Sequence, residues 1–433
     1  MQKSSQQQPD RSVAPAFRPV TDLKVQEAVQ FHLDNGIKVY SINAGFQDLV
    51  RIEFLFDNKN YYPDSPIIAT ASNRLLTEGT KKHTALQLAE MVDDYGAFLE
   101  TEESADSCSL VLYTLNKHLE KTLPVVFEVL TEANYPENEL TIYCRNQKQR
   151  LTVNNEKVNA IARGKFNEVI FGSSHPYGHY VTAADYDLLN VDALRSYHAP
   201  HYSATHCTIL AAGMLSESTN KLINKFFGGS EWSSPIDEKV SSGTLAESGQ
   251  KIHFHLKDNA IQTAIRIGRR MFTRTHEDYP GMTVLNTVLG GYFGSRLMSN
   301  IREDKGYTYG IGSAVASFRQ AGCFFISTEV GADVTNAALE EIYKEVQKLL
   351  DEPVGEEELS MVRNYLLGSF LKGIDGPFAL IDRCKTLLQS GLDYDYFKRY
   401  VDTVAAITPD QLQSLANRYW KREDLYELVV GVK

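Results

Sequence analysis

Histidines are the first residues in this chain whose type and spacing suggest chemistry. His253 and His255 alternate along Lys251-Ile-His-Phe-His-Leu256, so on a strand both rings would face one side and be able to share a metal. No third ligand accompanies them, and a solvated sheet face accounts for the pair. His198, His201 and His206 cluster around an expected helix end, where a histidine cation complements the helix dipole. His175 and His179 bracket Pro176-Tyr177-Gly178 and read as structural turn residues. Gly290-Gly291-x-x-Gly294 has the look of a phosphate loop, but no lysine or Rossmann-type unit goes with it. The run Glu356-Glu357-Glu358 opens a helix and complements its N-terminal dipole. No Ser-His-Asp or Cys-His arrangement can be placed.

The elements that would position any site must come from more than one core. The chain has 433 residues, against roughly 100–200 for an ordinary domain. Apolar residues make up 43% and charged residues 23%, the composition of a soluble globular protein. No stretch reaches the roughly 20 apolar residues of a membrane helix. The net charge of -11 and the absence of a basic stripe argue against a nucleic-acid partner. Cys108, Cys144, Cys207, Cys323 and Cys384 form no C-x-x-C pair, which fits buried thiols in a reducing compartment. The first ten residues carry no signal-peptide pattern. A cytoplasmic location is therefore expected, with the periplasm as the alternative if a leader has been removed.

The chain reads as a duplication. Asn190-Val-Asp-Ala-Leu-Arg-Ser-Tyr-His198, followed by Cys207-Thr-Ile-Leu-Ala-Ala-Gly213, closes the first half. Thr408-Pro-Asp-Gln-Leu-Gln-Ser-Leu-Ala-Asn-Arg-Tyr419, followed by Leu425-Tyr-Glu-Leu-Val-Val-Gly431, closes the second. Each is an N-capped helix leading into a buried strand. Ser109–Thr114 matches Cys323–Thr328, and Val50–Phe56 matches Ala264–Gly268. Gly96 and Gly306 each end a helix with a left-handed cap. The expected fold is α+β: two similar domains, each a mixed or antiparallel sheet flanked by helices. The bounds are a polar tail over 1–22, a first domain over 23–228, a Gly/Ser-rich linker over 229–249 and a second domain over 250–433.

Three ordered segments carry a family resemblance. They are Leu76-Thr-Glu-Gly-Thr80, His175-Pro-Tyr-Gly178, and Gly290-Gly-Tyr-Phe-Gly-Ser-Arg-Leu297 running on to Ile301-Arg-Glu-Asp-Lys-Gly-Tyr-Thr-Tyr309. From about Val20 onward the chain resembles the insulinase and mitochondrial-processing-peptidase superfamily of zinc metallopeptidases. In that family an H-x-x-E-H helix supplies two zinc ligands and the base that activates the metal-bound water. The resemblance puts that motif at Thr70, Asn73 and Arg74, none of them a ligand, and the third-ligand glutamate near Leu151, in a run without a carboxylate. Glu100 and Thr101 replace the Asn-Ala pair of the cleft strand. The family's R-x6-Y pair, in contrast, is present as Arg302, near the end of an expected short helix, and Tyr309, on an expected strand after the Gly306 turn, with Arg296 as a supporting substrate-binding residue.

The resemblance therefore implies no metal in this chain and zinc in a partner. The expected role is the zinc-free subunit of a heterodimeric peptidase, with Arg302 binding substrate and Tyr309 stabilising the oxyanion for cleavage of unfolded peptides. A homodimer is the expectation where that partner is absent. The alternatives are a catalytically inactive structural or assembly subunit, and an independent enzyme with other chemistry.

Overall fold

The computed structural model describes Ser12 and residues 24–58, 61–232 and 243–432. The expected tail over 1–22, apart from Ser12, and residues 233–242 of the expected linker lie outside the described residues. The first half runs β1 (Val29–His32), β2 (Lys38–Asn43), β3 (Leu49–Asp57), α1 (Ile68–Arg74), α2 (Ala85–Asp93), β4 (Phe98–Glu103) and β5 (Ser107–Leu115). It continues through α3 (Leu119–Glu132), α4 (Glu137–Asn154), α5 (Val158–Phe171), α6 (Ala183–Asp187), α7 (Val191–His201), β6 (Cys207–Gly213) and α8 (Glu217–Phe227). The second half runs β7 (Ile252–Leu256), β8 (Gln262–Met271), α9 (Tyr279–Asn286), β9 (Ile311–Ser317), β10 (Gly322–Gly331), α10 (Thr335–Asp351), α11 (Glu356–Lys372), α12 (Pro377–Ser390), α13 (Asp395–Ala406), α14 (Pro409–Tyr419) and β11 (Tyr426–Gly431). Two π-helical segments, Thr287–Gly291 and Met298–Asp304, lie between α9 and β9.

The duplication is visible in the strand orders. The first sheet runs β1-β2-β6-β3-β5-β4 and the second β7-β11-β8-β10-β9. Without β1 the two orders match strand for strand, each with one parallel pair (β2 with β6, β7 with β11) in an otherwise antiparallel sheet. The helix that leads into the closing strand is capped in each half as its sequence dictates. Asn190 accepts from the Ala193 N–H, and Thr408 exchanges hydrogen bonds with Gln411. Gly96 and Gly306 have φ of 58° and 65°, the left-handed region that glycine enters without strain.

One face of each sheet packs on helices of its own half. Val50, Ile52, Phe54 and Phe56 meet Leu123, Val126 and Leu130 of α3 in one core. Ile265, Ile267, Phe324 and Ile326 meet Ile342, Val346 and Trp420 in the other. The opposite faces are covered by an exchange of helices. The apolar edge of α12, Leu380-Ile381-x-x-Cys384, lies on Ile42, Leu55, Leu210 and Ala212 of the first sheet. The corresponding edge of α5, Val158, Ile161, Ala162 and Phe166, lies on Ala264, Cys323, Leu428 and Val430 of the second. Each aliphatic side chain so buried contributes about 1.5–3 kcal/mol, so the exchange binds the halves together. Four of the five cysteines are buried and all are free, and burial pushes the Cys108 thiol up to about 12.

Candidate functional site

The position of the expected zinc motif is α1, where Asn73 and Arg74 are engaged within the protein. Asn73 is completely buried. Its Nδ2 donates to the Glu102 carbonyl at 2.8 Å and its Oδ1 accepts from the Tyr202 hydroxyl at 3.2 Å. Arg74 donates through Nε to Glu103 Oε1 at 2.8 Å. Thr70 is exposed and borders a cavity of about 160 Å³ shared with Tyr61, Asp106, Tyr177, His179 and Gln320. Leu151, on α4, is half-buried. An amide committed at both ends, a guanidinium paired with a carboxylate and a leucine offer no donor set for zinc. Among the described residues no three His, Cys, Asp or Glu side chains gather where they could hold a metal ion.

Behind α1 runs a buried hydrogen-bond chain that sequence reading missed. Ser72 Oγ lies 2.8 Å from the Tyr135 hydroxyl, which lies 2.8 Å from His198 Nδ1. Burial drives the His198 pKa down to about 4, so this ring is neutral at physiological pH. It therefore does not complement the dipole as a cation, contrary to the expectation for its cluster, because desolvation outweighs the helix-end field. His201 Nδ1 meets the Tyr197 carbonyl at 2.8 Å and His206 Nδ1 the Pro200 carbonyl at 2.9 Å. His253 and His255 are half-buried on the edge strand β7.

The His-Pro-Tyr-Gly segment holds the two halves in register. His175 is fully buried, and its Nε2 lies 3.2 Å from Gln320 Oε1. The Tyr177 hydroxyl donates to Asp106 and accepts from the Gln320 N–H. Arg319 donates its backbone N–H to Asp106 Oδ2 at 2.8 Å and its guanidinium to Asp57 at 2.6 Å. The turn between β9 and β10 is thus clamped to the turn between β4 and β5, its counterpart in the first half.

The second half presents Arg302 and Tyr309 differently. Arg302 lies in the π-helical segment Met298–Asp304, with its guanidinium 4.8 Å from the centre of the Phe293 ring. Among the described residues it has no carboxylate partner. Tyr309 is 95% exposed. It does not lie on a strand, as the sequence suggests, but in a bend two residues before β9. The physical reason is next door: Thr308 Oγ1 donates to the Glu329 carbonyl and accepts from the Gly310 N–H, which fixes a turn before the ladder starts. Arg296 forks onto Glu358 at 2.9 and 2.8 Å, bracing the glycine-rich turn against α11, and Glu358 raises its pKa further. No hydrogen bond or ion pair among the described residues joins Arg302 or Tyr309 to Thr70, Asn73, Arg74 or Leu151.

A buried ionic cluster, also unforeseen, lies between the first sheet and α12. Arg51 bonds Glu53 at 2.9 Å and Asp382 at 2.6 Å, while Lys385 bonds Glu53 and, at 3.3 Å, Glu102. Charges at Arg51 and Glu53 inside the apolar run Val50–Phe56 were the available signal, since both point to the face away from the main core.

Comparison with known proteins is consistent with this geometry. Residues 189–366 match the family model described as the peptidase M16 inactive domain. The chain is 23% identical over 365 residues to an uncharacterized zinc protease, YmxG, of Bacillus subtilis, covering 83% of this chain and 85% of that one. It is also 23% identical over 355 residues to an uncharacterized zinc protease of Streptomyces coelicolor, covering 79% and 76%. Its fold matches the crystal structure of a peptidase M16 inactive domain from Pseudomonas fluorescens with a TM-score of 0.84 at 21% identity, over 94% of this chain and 98% of that one. A protease from Helicobacter pylori matches with a TM-score of 0.84 at 16% identity, over 94% and 100%. Residues 189–366 are thus similar to the peptidase M16 inactive domain, most of the chain is similar in sequence to uncharacterized zinc proteases, and its fold is that of the M16 inactive-domain structure.

Proposed function

We propose that the chain is the zinc-free subunit of a two-subunit peptidase. Its partner is a homologous chain with an intact H-x-x-E-H helix, and Arg302 and Tyr309 are its contribution to the shared substrate chamber. The observation that carries this reading is the exposure of Tyr309 together with an Arg302 that has no ionic partner among the described residues, while every polar group at the zinc-motif positions on α1 that could compete for substrate, other than the Thr70 hydroxyl, is engaged internally. A phenol hydroxyl free to donate can stabilise the oxyanion of a tetrahedral intermediate, a role worth roughly 10²–10³ in rate for one donor. The guanidinium fork supplies two parallel donors for substrate carbonyls. The substrates are extended, unfolded peptides, which pair with an open sheet edge such as β4 or β9.

The test is to co-express the chain with a homologue bearing H-x-x-E-H from the same genome and assay cleavage of an unfolded peptide. Cleavage by the mixture, and not by this chain alone, is expected. A tight complex that cleaves nothing would favour an assembly subunit instead.

A further inference from the structure

The outer faces of the two sheets carry opposite charges at the same structural position. Glu53 on β3 stands opposite Leu210 of β6, and Arg266 on β8 stands opposite Leu428 of β11. Each partner is the third residue ahead of the glycine that closes its strand, Gly213 or Gly431. The exchanged helices show the same inversion. Asp382 is the sixth residue of α12 and Arg163 the sixth of α5.

In the first half the charges balance: Glu53 and Asp382 hold Arg51, and Lys385 closes the cluster. Burial alone would lower the Arg51 pKa, but Glu53 and Asp382 together raise it. In the second half they do not balance. Arg266 is 7% exposed, its Nε has no hydrogen-bond partner, and its Nη2 reaches Asn159 Oδ1 only at 3.4 Å. Its guanidinium lies 5.3 Å from the centre of the Phe325 ring. Burial lowers its pKa to about 10, and the neighbouring Arg163 pushes the same way. Among the described residues no carboxylate lies within ion-pair distance of either arginine. A buried cation without a counter-charge is costly, and a second cation beside it adds to the cost.

Both arginines line a cavity of about 560 Å³ that opens at the start of α5, together with Lys157 and Asn159. No side chain caps the first turn of that helix, so its N–H groups and dipole add positive potential. Two carboxylates also border the cavity: Glu156, engaged by Lys257 at 2.8 Å, and Glu329. We infer that this cavity is a binding site for a small oxyanion of the phosphate class, held between the guanidinium groups of Arg266 and Arg163 at the N-terminus of α5. With the signs inverted, the anion supplies the counter-charge that Arg51 and Lys385 supply to Glu53 and Asp382 in the other half. Because α5 comes from the first half and β8 from the second, a bound anion clamps the two together.

The test is isothermal titration of the full chain with inorganic phosphate, pyrophosphate and acetate at constant ionic strength, with thermal unfolding measured in parallel. Saturable one-to-one binding of phosphate or pyrophosphate is expected, with a raised melting temperature and weaker binding of acetate. Arg163→Gln, an exposed change that leaves the core intact, is expected to weaken binding about tenfold, the scale of one charge-assisted contact. Arg266→Gln is expected to weaken it further. Tighter binding of acetate than of phosphate would assign the site to carboxylates and overturn the phosphate class. No saturable binding of any of the three, or binding unchanged in Arg163→Gln, would overturn the site itself.

Discussion

Helix α1 of the first half and the Arg302–Tyr309 segment of the second treat their polar groups in opposite ways. On α1, Asn73 is buried with its amide bonded at both ends, and Arg74 is tied to Glu103. Between α9 and β9, Arg302 lies against the Phe293 ring with no carboxylate partner among the described residues, and Tyr309 stands almost fully in solvent. Buried polar groups bonded inside a protein stabilise it, whereas exposed donors contribute little stability and remain available for a ligand. Substitutions in the first half should therefore cost stability, and those at Arg302 and Tyr309 should cost activity.

The largest stability loss is expected at the support of the first sheet. Glu53→Gln leaves the buried Arg51 and the half-buried Lys385 without their shared counter-charge, which should cost about 3–5 kcal/mol in urea unfolding. A loss below about 1 kcal/mol would mean that Asp382 and Glu102 suffice, and would weaken the picture of a sealed first half. Next comes His198. Its ring is held neutral down to a pKa of about 4, while in the unfolded chain it titrates near 6.5. The unfolded state binds the proton first, so stability should be lost as pH falls from about 6.5 to about 4, by at most about 1.4 kcal/mol per pH unit. His198→Gln should flatten that part of the curve; an unchanged slope would show that the ring is solvated.

Asn73→Leu strands the Glu102 carbonyl and the Tyr202 hydroxyl and should cost about 2 kcal/mol, while the folded complex keeps its peptidase rate. A lost rate with stability intact would put Asn73 on the functional side of the comparison. The smallest effect is expected for Arg74→Ala. Its side chain is 49% exposed, and an exposed ion pair is worth about 0.5 kcal/mol or less.

Much of this was legible in the chain. The repeated capped helix and apolar strand, with Asn190 and Thr408 as caps, report local rules that hold wherever the helix ends up. The positions of Thr70, Asn73 and Arg74 on one short helix followed from counting back from Gly79-Thr80. The exchange of α5 and α12 was not legible, because Leu380, Ile381 and Cys384 mark an apolar face without saying which sheet it covers. The bend at Tyr309 depends on Thr308 reaching Glu329 across the sheet, a long-range contact no local pattern encodes. His198 resembled an ordinary helix-end cation, and only its burial against Tyr135 reverses that.

The most direct measurement is kcat/KM for an unfolded peptide by the reconstituted two-subunit complex carrying Tyr309→Phe in this chain. Removal of one oxyanion donor predicts a fall of roughly 10²–10³, with complex formation and melting temperature unchanged. Full activity in that variant would contradict the account, leaving this chain as scaffold alone.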